Sequence, residues 1–461
     1  MKKFATKFIS QLTLTLSLAS LVSFSFGCTK LEINTNLRSL GYKILGVLDT
    51  SYGGTGFIGF TNPLDATKAS YGEKQIELPN GTIYHVGIAY NSSNVRRPVL
   101  LKLKSNGSPD TTFATAGAFV LPVPFSTSSE DAVIYYAVLV KNRYILLAGW
   151  AQHLGEYRVL VGIFDTVTEL MLPSFGTGGM AAYDMGDATR PNDLAEGVDY
   201  DADLDRLVIA SESADAGWTA VVSSIFVLKF DGTYDPTFNS GAPYFLSTPA
   251  ITDPFNINGI KVTQNAYLVW GAEFDSAYTY NKNFLAEVSK AGSAVISFGT
   301  NGFVLSPNNV DIVNAVSIVG NSALVGYGTF NYDQISIGRV DLATGAKDLS
   351  FGSAGLINIS SLIPAANTGS NTVITDLSVQ SDGSILALWA DATDGYVTSF
   401  NPATASINQS FATNGSIKLP RLTGGTKNYT WGFNWSSIGI YIFGACFDST
   451  NLVHMCTWKL K

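Results

Sequence analysis

Charge is scarce in this 461-residue chain. Asp, Glu, Lys and Arg together make up 14%, against roughly a quarter in ordinary soluble domains, which excludes a charge-rich disordered segment or a coiled coil. No run of Lys or Arg occurs, and 28 basic residues face 36 acidic ones. The phosphate-neutralising surface of a nucleic-acid binder is therefore missing. Only three histidines are present, His85, His153 and His454, with no paired spacing, which argues against a His-based metal site. No G-x-S-x-G, H-E-x-x-H, Walker loop or dinucleotide fingerprint appears. Past the first 27 residues no apolar run approaches the length of a membrane span. What is plentiful is Gly, 44 residues, and aromatics, 12%: the composition of an all-β protein with many tight turns.

The N-terminus reads as an address. Lys2, Lys3 and Lys7 form a basic region, an uncharged stretch runs from Phe8 to Phe26, and Ser25-Phe26-Gly27 gives a small-x-small pattern ending at Cys28. This is the layout of a secretory signal peptide over residues 1–27; the alternative is an uncleaved anchor of marginal spanning length. Gly27-Cys28 resembles the bacterial lipobox, with Ser25 in place of the usual aliphatic residue and a bulky Phe26. The resemblance implies lipidation of Cys28 and, with Thr29 and Lys30 following it, an outer-membrane or cell-surface address; ordinary secretion is the alternative. More than one acyl chain suffices for stable anchoring. Residues 28–40 then form a tether and residues 41–461 the folded unit. Without Lys2, Lys3 and Lys7 the formal charge falls from −8 to −11. Cys446 and Cys456 sit symmetrically about Asn451 and would face one another on a hairpin. A bridge there would contribute on the order of 2–3 kcal/mol; two buried thiols are the alternative.

Self-similarity decides the fold class. An aromatic residue preceded by Asp, Ser or Thr and followed by small residues and Gly recurs at Tyr52, Phe113, Phe175, Phe238, Phe298, Phe351 and Phe411, in steps of 61, 62, 63, 60, 53 and 60. In the same phase, a turn such as Pro79-Asn80-Gly81, Lys141-Asn142 or Ser381-Asp382-Gly383 leads into an apolar strand. Asn, Asp and Gly suit the positive-φ positions of tight hairpins. These residues resemble the delta-60 repeat family of bacterial β-propellers, whose pattern runs L-D-x-S-F-G-x-G-G and then a D-G-K-I-L-V-A-G-like hairpin. The resemblance covers residues 48–461 and implies a fold rather than an activity. Tyr52 for Phe, Ala114 and Ala412 for the first Gly, and Ser211 or Ala390 at the strand-end Gly are departures, none of which removes the aromatic character at the anchor.

Each period holds four strand-like segments, A to D. The expectation is an all-β, seven-bladed propeller with four antiparallel strands per blade, which leaves only short protected edges; an open stack would leave two long ones. The anchor aromatics are expected between blades, each worth roughly 1.5–3 kcal/mol. Residues 47–56 supply the turn that the last repeat lacks, so the termini should meet.

Loops sort by parity. The tight B–C hairpins and the motif-bearing D–A connections lie on one face, and the variable A–B and C–D loops on the other. Variable loops on a rigid scaffold are the usual carriers of function, so recognition is assigned there, with Trp150, His153, Trp218, Tyr278, Tyr280 and Tyr332 as ligand-face candidates. Arg96 and Arg97 read as a solvated pair. Asp199, Asp201, Asp203 and Asp205 alternate like part of a calcium loop, but the repeat places a turn there and the expected Gly and distal Glu are absent. A solvated turn is the first reading and weak Ca²⁺ binding the second; no other cofactor is expected. The A strands, taken as innermost, carry no acid. The resulting expectation is a non-enzymatic, membrane-anchored, extracytoplasmic propeller that binds a protein or glycan. The alternatives are a polysaccharide hydrolase or lyase using carboxylates in the central channel, which needs convergent acids, and an envelope-assembly scaffold.

Overall fold

A computed structural model describes residues 29–30, 44–185, 189–217, 220–247, 255–274, 280–305, 311–329, 334–363, 372–436 and 439–461. They form seven antiparallel sheets. Blade 1 runs Ser70–Glu77, Ile83–Tyr90, Arg96–Leu103 and Ala118–Val120 from one edge to the other. The others repeat this order, so each blade takes three strands from one repeat and its last from the next. Among the described residues no helix is long and apolar enough to cross a membrane.

The strands that neighbour one another around the centre are Ser70–Glu77, Ala132–Val140, Asn192–Asp201, Phe255–Val262, Asp311–Val319, Val373–Val379 and Asn428–Ser436. These are the B strands. The A strands, expected to line the channel, lie instead at the outer edge of each blade. The reason is length and burial. Ala132–Val140 is nine residues long and buried at seven of them, as a strand enclosed by blades on both faces must be. Ala118–Val120 is three residues long and grades from buried to exposed, which suits only a rim.

Closure follows the same permutation. Phe57–Phe60 pairs antiparallel with Val453–Leu460, Phe57 opposite Trp458 and Phe60 opposite Met455, and so completes blade 7 from the other end of the chain. Asp49 N–H donates to the Lys459 carbonyl and Lys461 N–H to that of Val47, both at 2.9 Å. The Asp49 carboxylate takes Lys459 at 3.2 Å, both side chains nearly fully buried. No long edge is left open at the seam.

The repeated motif is a prefabricated corner. Asp49, Asp110, Asp235 and Asp348 each accept hydrogen bonds through Oδ1 from the backbone N–H and hydroxyl of the Ser or Thr two residues on. This side-chain mimic of a turn presets the chain direction. The aromatic that follows is at most 1% exposed in all seven repeats. Phe113 packs with Ile76, Tyr84 and Leu100 of blade 1 and with Ile134, Leu147 and Phe164 of blade 2, its ring 5.8 Å from Tyr84 and 6.1 Å from Phe164. Gly117, at φ +91°, lets the chain double back so that its N–H reaches the Phe113 carbonyl.

The residue after the aromatic then fastens the next blade. Gly53 donates to Asn106 O, Gly176 to Asp231 O, Asn239 to Ala291 O and Gly299 to Thr344 O, at 2.8–3.2 Å. At the seam Ala412 donates to Leu45 O at 2.7 Å, the N-terminal segment standing in for the loop that the last repeat lacks. Cys446 and Cys456 are joined, with Cα atoms 5.8 Å apart. They are not directly opposite: Cys446 pairs with His454 and Cys456 with Gly444, a diagonal arrangement on one buried face.

Phe113→Ala is expected to cost about 3–5 kcal/mol, the usual range for a fully buried Phe. Thermal unfolding should show a clear drop in Tm, larger than for the half-buried neighbour Phe119→Ala. Equal melting of Phe113→Ala and the parent would contradict the inter-blade role.

Candidate functional site at the central channel

Each innermost strand carries one β-bulge at the equivalent place. The register slips between Gly72 and Lys74, Ile134 and Tyr136, Ala195 and Gly197, Ile257 and Gly259, Val313 and Ala315, Ile374 and Asp376, and Thr430 and Gly432. A bulge leaves one residue without a partner and re-aims its side chain. The seven residues so released are Glu73, Tyr135, Glu196, Asn258, Asn314, Thr375 and Trp431. Glu73, Tyr135, Glu196 and Trp431 are partly exposed while the residues on either side of each are buried. In the middle of an innermost strand the space available to them is the channel. The bulges thus set a polar and aromatic ring at one level of the bore.

Burial governs the electrostatics of this ring. Glu73 is pushed up to about 8 by desolvation alone. Glu196 accepts from the Tyr136 hydroxyl at 2.9 Å. Burial still raises its carboxyl well above the usual range, against the hydrogen bond from Tyr136. Glu212, on the second strand of blade 3, is raised by burial and then by the charge of Glu196, with the Ile257 N–H acting the other way. Asp376 follows the bulge of blade 6 and is raised to about 6 by burial, against Lys74, the N–H groups of Phe433 and Leu377, and Lys261. Behind the ring, His85 is held neutral, its pKa lowered to about 3 by burial. It occupies the space left at Gly72, where a Cβ would stand 2.1 Å from its Nε2.

Two of the loop-face candidates, Trp150 and His153, lie in a strand rather than in a loop. Trp150 is 2% exposed; its ring packs edge-on to Tyr157 at 4.8 Å and lies under the Arg96 guanidinium, also at 4.8 Å. The strand Tyr144–His153 extends beyond the Gly149 at which a loop was expected, which draws both Trp150 and His153 into the sheet. His153 Nδ1 bonds the Phe125 carbonyl at 2.6 Å. Arg96 and Arg97 are not a solvated pair: Arg96 holds Asp131 through two nitrogens, and Arg97 caps the carbonyls of Thr127, Ser128 and Glu130. Tyr280 is placed by its backbone, opposite Phe274. Cys28, Trp218, Tyr278 and Tyr332 lie outside the described residues.

The alternating acids are not a solvated turn throughout. Asp201 is fully buried, taking Tyr267 Oη at 2.9 Å and Lys290 at 3.1 Å. Asp199 accepts from Val262 N–H. Asp203 is largely exposed beside Lys290, and Asp205 binds Lys141 and the Tyr200 hydroxyl. Arg206, 1% exposed, joins Tyr267, Asp235, Thr237 and the Lys290 carbonyl in the same seam. These four carboxylates, two of them sharing Lys290, stitch blade 3 to its neighbours.

A family model described as a β-propeller domain of unknown function, DUF5122, matches residues 78–113, from the inner hairpin of blade 1 to its anchor Phe113. No curated protein matches the chain. Among solved structures it is similar to prolyl oligopeptidase B from Galerina marginata (12% identity, TM-score 0.47, covering 86% of this chain and 52% of that one). It is also similar to the Dos1 propeller (11%, 0.43, 84% and 81%) and to Trypanosoma rangeli sialidase (10%, 0.41, 88% and 58%). The chain spans about half the length of the prolyl oligopeptidase B chains it matches.

Raised carboxyl pKa values make the folded state prefer protonated Glu73 and Glu196. That preference is fully present below the unfolded value of 4.5 and is lost as pH rises through about 8 at Glu73. Glu73→Gln and Glu196→Gln should therefore melt near the parent at pH 4.5 and increasingly above it toward pH 9. His85 has the opposite sign and is common to parent and variants, so it cancels in the difference. A Tm difference that is flat with pH would show these carboxyls to be ordinary solvated groups.

Proposed function

We propose that this chain is a non-enzymatic, envelope-anchored propeller that binds a protein or a glycan through the face carrying the A–B and C–D loops. The observation that supports this reading is the unequal commitment of the two faces. On the motif face the corner turns are bonded blade to blade through backbone groups. The opposite face carries loops of differing length and chemistry, and such loops on a rigid frame are where recognition usually resides. Anchoring through Cys28 belongs to the same reading and rests on the Gly27-Cys28 pattern.

A glycan array combined with a cross-linking pull-down, using residues 29–461, tests it. Trp218→Ala and Tyr278→Ala should weaken capture at least tenfold with Tm unchanged; undiminished capture by both would remove the loop face from consideration. In cells, Cys28→Ala should abolish acyl-chain labelling, and persistent labelling would reject the anchor.

One observation favours a second reading, a hydrolase or lyase acting in the channel. The innermost strands do carry acids, Glu73, Glu196 and Asp376, whereas the A strands do not. General acid/base chemistry uses carboxyls whose pKa lies near the working pH, and burial raises both Glu73 and Glu196 toward that range. Polysaccharide cleavage that disappears in Glu73→Gln and Glu196→Gln would favour this reading over the first.

A further inference from the structure

We propose that the channel arc formed by blades 7, 1, 2 and 3 binds an organic cation, an ammonium group set between carboxylates and aromatic faces. Around this arc the bulges release Trp431, Glu73, Tyr135 and Glu196 in succession, so aromatic and acid alternate over four consecutive blades. The rest of the ring, Asn258, Asn314 and Thr375, is neutral. The two-residue strand Thr29–Lys30 pairs parallel with Ala315 and Val316 and lies against the innermost strands of blades 4 to 7.

The acids on the arc are under-compensated. Lys74 and Lys261 act on Asp376, and Lys74 also lies 5.1 Å over the Phe443 ring. Among the described side chains no cation offsets the burial of Glu73. Glu212 is 5% exposed, its Oε1 makes no hydrogen bond, and the charge it faces is that of Glu196. The indole Nε1 of Trp431 is likewise unpaired. A buried carboxylate without a partner takes up a proton or a counter-ion. An ammonium ion would relieve such a carboxylate and gain attraction from the Trp and Tyr faces beside it. A neutral sugar relieves no charge, and a hard metal ion wants several oxygens where this arc interleaves rings.

Isothermal titration of residues 29–461 tests this, with three probes: putrescine, the peptide acetyl-Gly-Lys-Gly-amide and glucose. Binding of putrescine marks a free amine as ligand, and binding of the peptide alone marks a lysine presented by a partner; either supports the proposal. Glu73→Gln and Glu196→Gln should each weaken binding at least tenfold, while Asp203→Asn at the exposed rim should leave it unchanged. Gln keeps the side-chain shape, and a Tm at or above that of the parent verifies folding. Glucose binding as tightly as the amines, no amine binding at millimolar concentration, or amine binding indifferent to both Gln variants would overturn it. Failure here leaves loop-face recognition untouched, because the two sites share no residue.

Discussion

The architecture depends on one repeated junction, in which an aromatic ring is clamped between two blades and the next backbone N–H bonds the neighbouring blade. A single four-stranded sheet cannot cover its own two faces, so each blade needs a neighbour on both sides. The Asp-Ser/Thr corner fixes the angle at which the ring enters. The backbone bond, as in Gly53 to Asn106 or Gly299 to Thr344, fixes how far the next blade stands from it. Rotating the unit by this fixed relation returns to its start, and the chain meets that condition by lending Leu45 O to Ala412 and Phe57–Phe60 to blade 7. The seam is thus one more copy of the junction.

That junction uses up one face and leaves two places open. Corner turns that bond the next blade cannot vary freely without loosening the ring, whereas the loops on the other face are tied to it only locally. Even there some chemistry is spent on architecture: Arg96, Asp131 and Trp150 form a stacked, ion-paired brace between blades 1 and 2. The second open place is the bore. A regular innermost strand sends its side chains alternately into the two adjoining blades, so without an irregularity the channel would be lined by backbone. The bulges supply that irregularity seven times at one level.

The repeat was legible because both of its markers sit where backbone geometry restricts the choice of residue: Gly at the doubled-back corner, and Asn, Asp or Gly in hairpins such as Lys141-Asn142, where both residues have φ +52°. The innermost strand was not legible, because a cyclic repeat has no first strand and A and B differ in the sequence chiefly by length. The bulges left only a partial trace: Gly72, Gly197, Gly259 and Gly432 stand beside four of the seven slips, but the released residues, Glu73 among them, carry no common sequence mark. Asp199, Asp201, Asp203 and Asp205 alternate with the period of one strand face, yet their partners, Val262, Lys290, Tyr267 and Lys141, are distant in sequence. The chemistry of a long-range seam is invisible in the segment that bears it.

Carboxylates in this molecule fall into two populations, and the difference separates holding the ring from acting within it. At the seams Asp49, Asp201, Asp235 and Asp394 are buried and paired, with Lys459, Lys290, Arg206 and Arg421. Removing one partner of such a pair leaves a stranded charge, so these residues are constrained by stability. Glu73 and Glu196 are placed by an equally regular backbone device, yet among the described residues no arginine or lysine pairs with either, and burial holds both toward the neutral form. A fold that pairs its seam acids so consistently has no structural need for two unanswered ones in its bore. Bulges that turn these two residues toward the channel are better understood as presenting a carboxyl to a ligand than as serving the frame.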